Sequence, residues 1–114
     1  MKTSNLIMFL AIVLALSCTN ATPEPACIAQ MIANIKKQPV WNPPATIWQY
    51  TYNNKQVYLV TSDCCDQFIS LYDENCNRLC APSGGFGGGG DGQCPDFYTK
   101  ATNEKLLWQD SRKR

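Results

Sequence analysis

The sequence contains no histidine, and its longest apolar run is short. Without histidine the chain cannot carry a Ser-His-Asp or Cys-His catalytic arrangement or a histidine-ligated metal site. The apolar run, residues 6–16, has eleven residues, whereas a helix that spans a bilayer needs about 20. A basic excess is also missing, because ten Lys and Arg residues face nine Asp and Glu residues. That balance argues against nucleic acid as a partner, since phosphate-binding domains usually carry a clear basic excess.

Glycine is absent from most of the chain and concentrated in one stretch. All seven glycines lie between Gly84 and Gly92. Side-chain packing cannot order such a segment, because glycine has no side chain to bury and the most backbone freedom to lose. Cysteines flank the stretch on both sides, so we expect disulfides to clamp it.

The N-terminus is typical of an exported protein. Lys2 precedes the apolar run, which is the pattern of a secretory signal. Residues 15–18, Ala-Leu-Ser-Cys, resemble the bacterial lipobox, in which the cysteine is lipidated and becomes the mature N-terminus. Lipidation of Cys18 is therefore expected, and ordinary cleavage near Ala21 is the alternative.

These features divide the chain into three parts. We predict a signal peptide over residues 1–17, a lipidated cysteine with a short tether over 18–25, and a single disulfide-stabilised domain over 26–114. The expected location is the bacterial outer membrane or another periplasm-facing membrane. The expected partners are that membrane, through the N-terminal lipid, and a protein of the cell envelope.

An even number of cysteines remains after lipidation, which indicates up to three disulfides in an exported chain. The candidates are Cys27, Cys64, Cys65, Cys76, Cys80 and Cys94. Six cysteines allow 15 pairings, and the sequence does not choose among them. A bond between the neighbours Cys64 and Cys65 would form a strained, reducible ring, but pairing with different partners on opposite faces of a strand end is favoured. No Cys-x-x-Cys, the spacing of thiol oxidoreductases, is present.

Hydrophobic periodicity predicts one helix followed by four or five strands. A helical stripe that indicates a core face is formed by Ile28, Met31, Ile32 and Ile35. The stretch Thr46–Tyr52 alternates, and its aromatic side is expected to pack in the sheet rather than to serve as a ligand platform. Further strands are predicted over residues 56–61, 68–72, 78–81 and 104–108, with a short helix within 95–101. The fold class is therefore α+β, with one N-terminal helix packed on a small antiparallel sheet of four to five strands and a disulfide-clamped glycine-rich loop.

Two familiar motifs fail on their spacing. Residues 73–77 begin like an EF-hand loop, but Arg78 and Gly84 occupy the positions that require glycine and glutamate, so an Asx-rich hairpin turn is the better interpretation. The glycine tract has the letters of a dinucleotide-binding motif without the surrounding strand-helix-strand unit. No nucleotide is therefore expected to bind.

One looser metal site remains as a hypothesis. Its candidate ligands are Asp63, Asp66, Asp91 and Asp96, which flank the Cys64-Cys65 pair and Cys94. A disulfide joining these two regions would collect up to four carboxylates, the hard oxygen ligands that suit Ca²⁺. Solvated surface acids are the alternative interpretation. No other cofactor is expected.

The motifs CCDQF, LYD and GGFGGGGDGQCPDF resemble those of an uncharacterised domain-of-unknown-function family of small exported bacterial proteins, often lipoproteins. Members similarly place a VYLV-like strand before a CCDQ element, an LYD turn and a GDGxCPDF stretch. The resemblance covers roughly residues 27–110 and implies no activity or catalytic residue. Family members usually carry glycine where this chain has Cys76, which suggests that Cys76 is free or pairs locally with Cys80.

The function that these observations favour is a non-catalytic, membrane-anchored lipoprotein domain with a binding or structural role. The glycine stretch and the acids around it are the expected contact surface, either for Ca²⁺ or for a basic partner. A small secreted protease inhibitor is the alternative, because a cross-linked loop loses little entropy when it enters a protease cleft. A carboxylate-based enzyme would need two acids at a defined separation in a cleft.

Overall fold

The computed structural model describes residues 24–114, which form two helices and five strands. In chain order these are α1 (Ala26–Lys36), β1 (Thr46–Tyr52), β2 (Lys55–Val60), β3 (Phe68–Tyr72), β4 (Arg78–Gly84), α2 (Phe97–Lys100) and β5 (Thr102–Gln109). The predicted α+β class is confirmed. The predicted signal peptide, Cys18 and most of the tether lie outside the described residues, so those parts of the sequence analysis stay predictions.

The strands form one antiparallel sheet in the order β4-β3-β2-β1-β5. Asn53 and Asn54 form the tight turn between β1 and β2 with φ angles of 50° and 62°, a backbone that asparagine tolerates. β5 returns beside β1, at the far side of the sheet from β4. The connection from β4 to β5 therefore crosses the sheet and carries α2 together with residues 84–92, here called the glycine segment.

α1 packs on one face of the sheet through the predicted stripe. Pro25 precedes the helix, and Ile28, Ile32 and Ile35 are its buried residues. The buried cluster beneath the helix also takes side chains from β1 and β2, namely Ile47, Tyr58 and Val60. The helix therefore covers the central strands β2 and β1 and the side of the sheet towards β5, and β3 lies at the margin of this contact.

The opposite face is closed by α2. Phe97, the first residue of α2, is fully buried and meets the rings of Tyr50 and Tyr52 edge-on, with centroids 5.0 and 5.3 Å away. Tyr50 donates a hydrogen bond to Glu104 (Oη to Oε2, 3.0 Å), and burial together with this carboxylate raises the pKa of Tyr50 to about 12. The expectation that the aromatic side of β1 packs in the sheet is thus confirmed.

Two of the three disulfides fasten long segments to this framework. Cys27–Cys76 joins the start of α1 to the turn between β3 and β4, and Cys80–Cys94 joins β4 to the chain just after the glycine segment. The expectation that Cys76 is free or pairs with Cys80 is wrong. Cys80 lies buried in the core on the α2 side, where it meets Cys94, whereas Cys76 contacts the cluster beneath α1.

The third disulfide joins the neighbours Cys64 and Cys65. The favoured interpretation, in which these two residues pair with different partners on opposite faces of a strand end, is therefore wrong. The physical reason is that neither residue lies on a strand, because β2 ends at Val60 and β3 begins at Phe68. Cys65 adopts a φ of 35°, which turns the backbone within this loop.

The glycine segment is fastened along β4 as well as clamped by Cys80–Cys94. The amide of Gly90 donates to the carbonyl of Gly84 (3.0 Å), and the amide of Asp91 donates to the carbonyl of Ala81 (2.9 Å). A side chain at Gly90 would overlap the Ala81 carbonyl oxygen, so only glycine permits this approach. The segment therefore covers part of the β4 edge, which is otherwise a hydrogen-bonding template for other chains.

Candidate functional site

A groove of about 790 Å³ opens between α1 and β3 on the helix-bearing face of the sheet. It exists because α1 covers β1 and β2 but stops short of β3. The wall on one side is the exposed flank of α1, and the other side is the surface of β3. The size lies within the range of small-molecule sites in proteins, about 300–1,000 Å³.

Each element presents its groove residues through its own periodicity. On α1, Gln30 and Asn34 are four residues apart and share a face, and Gln30 donates to Asn34 (Nε2 to Oδ1, 3.1 Å). On β3, alternation places Phe68, Ser70 and Tyr72 on the groove side. Leu71, between them, points into the other core.

Aromatic and apolar side chains provide much of the groove surface. Trp41 lies beyond the C-terminus of α1, and its indole donates to Gln38 (Nε1 to Oε1, 2.9 Å), which fixes the ring. Phe68 is 46% exposed and has the Arg78 guanidinium 5.8 Å from its ring centroid. The exposed aromatic surface is therefore anchored by neighbouring polar groups rather than left free to rotate.

The polar lining is almost entirely uncharged. Amide side chains come from Gln30, Asn34, Gln38 and Gln67, and hydroxyls come from Thr61, Ser62, Ser70 and Tyr72. Among the residues of 24–114 that line the groove, Asp63 is the only charged one. The site therefore suits hydrogen bonding to a neutral ligand and offers little to a strongly charged one.

Disulfides stand at both ends of the groove. Cys27 and Cys76 line one end. At the other end, Ser62 and Asp63 line the groove immediately before the Cys64–Cys65 bond. The Ser62 hydroxyl and the backbone N–H of Gln67 both donate to the carbonyl of Cys64, at 3.3 Å each.

The structure does not bring the four candidate calcium ligands together. Asp63 and Asp66 are exposed in the loop between β2 and β3. No disulfide joins this loop to Cys94, which was the premise of the hypothesis. Across residues 24–114, no group of three or more His, Cys, Asp or Glu side chains is placed to hold a metal ion.

The other two aspartates are already engaged. Asp91 accepts from the amides of Ala81 and Gln93 (3.0 Å each) and from Arg78 (3.2 Å), and these donors lower its pKa. The second one, Asp96, accepts from the hydroxyl of Tyr52 (2.6 Å) and lies 3.0 Å from the ammonium of Lys100. Hydrogen bonding from Tyr52 and then from Lys100 lowers the pKa of Asp96. The acids around Cys94 thus stabilise the fold instead of forming a free acidic surface.

Sequence reasoning missed the groove and the residues that frame it. Only the apolar stripe of α1 was interpreted from the sequence, although the amides Gln30 and Asn34, spaced four apart beside Met31, are a signal for a binding face. Also missed was Arg112, which donates to the carbonyls of Lys36 (2.9 Å) and Gln38 (3.0 Å) at the end of α1. Its ion pair with the buried Asp110, 2.7 Å from Nη2 to Oδ2, lowers the pKa of that carboxyl.

Comparison with protein families identifies the chain at a coarse level. The model of the family "Domain of unknown function (DUF6970)" matches residues 33–110, which include all five strands, the glycine segment and residues 33–36 of α1. The chain belongs to this family. No curated protein and no solved structure matches it.

The residues that the family model matches include most, but not all, of the residues that line the groove. β3, Trp41 and the loop with Cys64 and Cys65 fall inside the DUF6970 range, whereas Cys27 and Gln30 fall before it. Within the part of the chain that the structure describes, neither helix is long and apolar enough to cross a membrane.

Proposed function

We propose that this chain is a non-catalytic binding domain that is held at a bacterial envelope membrane by lipid on Cys18 and takes an uncharged ligand in the groove. The observation that carries the proposal is the lining of that groove. Aromatic rings, four amide side chains and a single charged residue among the described lining residues favour binding over acid-base chemistry, which would need paired titratable groups.

The ligand class that this lining fits best is a neutral carbohydrate. A sugar ring presents an apolar face of C–H groups that stacks on flat aromatic surface, such as that of Trp41 and Phe68. Its hydroxyls both donate and accept, and each amide of the lining also offers both a donor and an acceptor. The internal bond between Gln30 and Asn34 uses one donor and one acceptor, so the other amide atoms of this pair remain for a ligand.

The test is calorimetric titration of the full chain with a panel of neutral oligosaccharides. We expect saturable binding for at least one of them and a tenfold or greater loss of affinity in Trp41→Ala and in Phe68→Ala. Phe86→Ala is the matched control, because Phe86 is 96% exposed and lies outside the groove. Absence of binding to every sugar at millimolar concentration, or an equal loss in the control, would contradict the proposal.

Membrane attachment is tested separately. The signal-like residues 1–17 and the cysteine at position 18 support it. We expect the native protein to partition into detergent and to carry the mass of a diacylglyceryl group, and Cys18→Ser to release it into the aqueous fraction. A native protein that lacks the lipid mass would contradict the proposed membrane attachment, but it would not bear on the proposed binding in the groove.

A second candidate, protease inhibition, is favoured by one observation. Phe86 stands at the tip of a loop that is clamped by Cys80–Cys94 and closed by a hydrogen bond from the Gly88 amide to the Gly85 carbonyl (3.1 Å). A clamped loop with an exposed aromatic residue resembles an inhibitory one, although proteases bind extended strands and this loop is a turn. A protease panel decides it, and inhibition that disappears in Phe86→Ala would favour this candidate over the groove.

A further inference from the structure

The three disulfides lie in different environments. Cys80 and Cys94 are 4% and 5% exposed and belong to the core beneath α2. The Cys27–Cys76 bond is half-buried against α1. Cys64 and Cys65 are both exposed, in the loop between β2 and β3. Since a thiol must reach a sulfur atom to react with it, access alone separates the third bond from the other two.

The three bonds also differ in what they contribute to stability. A cross-link stabilises mainly by restricting the unfolded chain, and the effect grows with the loop that it closes. Cys27–Cys76 spans 49 positions and Cys80–Cys94 spans 14, so each restricts a sizeable loop of the unfolded chain. The Cys64–Cys65 bond spans one position, where the peptide chain already holds the residues together. A structural role therefore does not account for it.

We propose that the Cys64–Cys65 disulfide is a thiol–disulfide exchange site whose reaction partner is a dithiol. In the first step a partner thiolate attacks one exposed sulfur atom, the Cys64–Cys65 bond breaks, and the released thiolate takes a proton from water. In the second step the other thiol of the partner, deprotonated, attacks the mixed disulfide and releases the second cysteine. The partner dithiol is oxidised to a disulfide by two electrons, and Cys64 and Cys65 are reduced to two thiols. The chain is a reactant in this exchange and not a catalyst.

Charge beside the bond favours one type of partner. Asp63 and Asp66 stand on either side of the cysteine pair, and both are exposed. Their charges repel any attacking thiolate, most strongly one on a molecule that carries further negative charge, and least strongly one on an otherwise uncharged dithiol or on a basic protein surface. The site therefore selects against small acidic thiols.

Exchange at the Cys64–Cys65 bond also changes the structure of the groove. The effect on ligand binding rests on the proposed function. Ser62, Asp63 and Gln67 line the groove and lie in the same loop as the bond. The carbonyl of Cys64 holds this loop together by accepting from Ser62 and Gln67. Reduction opens the small ring that the Cys64–Cys65 bond closes, next to that carbonyl. The end of the groove that Ser62 and Asp63 line is thereby loosened.

The experiment is limited reduction of the folded, full chain by dithiothreitol at neutral pH, followed by alkylation and peptide mass spectrometry. We expect Cys64 and Cys65 to be labelled at least ten times faster than the other four cysteines, while the protein stays folded by circular dichroism. The Cys64→Ala/Cys65→Ala double variant is expected to lose the fast phase and keep the wild-type fold. First labelling at either of the other bonds, or reduction of all three only on unfolding, would overturn the proposal.

Two further readouts separate an exchange site from a merely exposed bond. In mixtures of reduced and oxidised dithiothreitol, the Cys64–Cys65 pair is expected to reach the same reduced fraction from both directions, with the other bonds intact. Glutathione, which carries net negative charge, is expected to react more slowly than a neutral thiol, and Asp63→Asn/Asp66→Asn should narrow that difference. The proposed exchange site would be contradicted by scrambled disulfide pairings on reoxidation. Equal rates of reduction by glutathione and by the neutral thiol at low salt would also contradict it. These readouts do not depend on whether the groove binds sugar.

Discussion

The glycine segment and the loop between β2 and β3 are neighbours that are held in opposite ways. They meet where the Gly85 amide donates to the Gln67 carbonyl, at 3.0 Å. The glycine segment has almost no side chains, yet its backbone is bonded to β4 and its disulfide closes a long loop. The other loop has no glycine, yet its side chains are exposed over residues 63–67 and its disulfide closes only one peptide unit. Order in a loop therefore depends on the partners of its backbone groups and on the span of its cross-link, not on its composition.

The largest expected difference between the two regions comes from removing each disulfide. Cys80→Ala/Cys94→Ala is expected to lower the free energy of unfolding by about 4 kcal/mol, because the bond closes a long loop and both residues are buried. For Cys64→Ala/Cys65→Ala we expect a loss below about 1 kcal/mol. Urea denaturation of both variants under non-reducing conditions measures the two values. Similar losses in both variants would show that cross-link span does not distinguish these regions.

Within the glycine segment, two alanine substitutions separate close approach from backbone freedom. Gly90 and Gly88 have φ angles of 79° and 77°, so both substitutions carry the left-handed cost of about 1–2 kcal/mol. A side chain at Gly90 also meets the backbone of β4, whereas one at Gly88 meets nothing within 4 Å. We therefore expect Gly90→Ala to cost about 3 kcal/mol and Gly88→Ala about 1–2 kcal/mol in thermal or chemical unfolding. Equal losses would mean that the segment does not lie against β4 in solution.

Acid is expected to weaken the glycine segment through Asp91. Hydrogen bonds from Gln93, Ala81 and Arg78 lower the pKa of Asp91 below its ordinary value of 3.8. Because the folded-state pKa is depressed, this stabilisation is complete above the unfolded pKa and is lost as pH falls from there through the folded pKa. Asp91→Asn should therefore lower the melting temperature at pH 7 and flatten its decline below pH 4. Asp66→Asn, in the other loop, is the matched control: this side chain is exposed, so its replacement should leave the melting temperature at neutral pH unchanged.

The smallest expected effect is that of removing the side chain at the tip of the glycine segment. Phe86 is almost fully exposed, so Phe86→Ala should change the free energy of unfolding by less than about 0.5 kcal/mol. Chemical denaturation checks this value. A clear loss of stability would show that Phe86 packs against the molecule in solution and that the tip is not free.

Much of the fold could be predicted because local patterns and tertiary packing agree. The stripe of α1, the alternation of β1 and the Asn53-Asn54 turn each identify an element without knowledge of its neighbours. β4 extends to Gly84, beyond the predicted end at residue 81, because its later residues are paired with Phe68 and Ile69 of β3. Pairing of this kind is set by the partner strand and leaves no local pattern.

The site could not be predicted in the same way. The groove depends on how far α1 lies from β3, which no periodicity reports, and its residues come from four separate stretches of the chain. The disulfide pairing failed for a related reason. Cys76 was expected to be free or to pair locally with Cys80, but the face of β4 on which Cys80 lies places it in the opposite core, where it meets Cys94.

The guanidinium of Arg112 connects the far end of the chain to one wall of the groove. It closes the last turn of α1 by binding the carbonyls of Lys36 and Gln38, while the buried carboxylate of Asp110 holds it in place. An Arg112→Ala substitution would remove this brace from the carbonyl of Gln38 without changing any side chain that lines the groove. The proposed binding in the groove would then depend on a residue that lines no part of it, so the side chain of Arg112 has to be intact in any measurement of the proposed affinity.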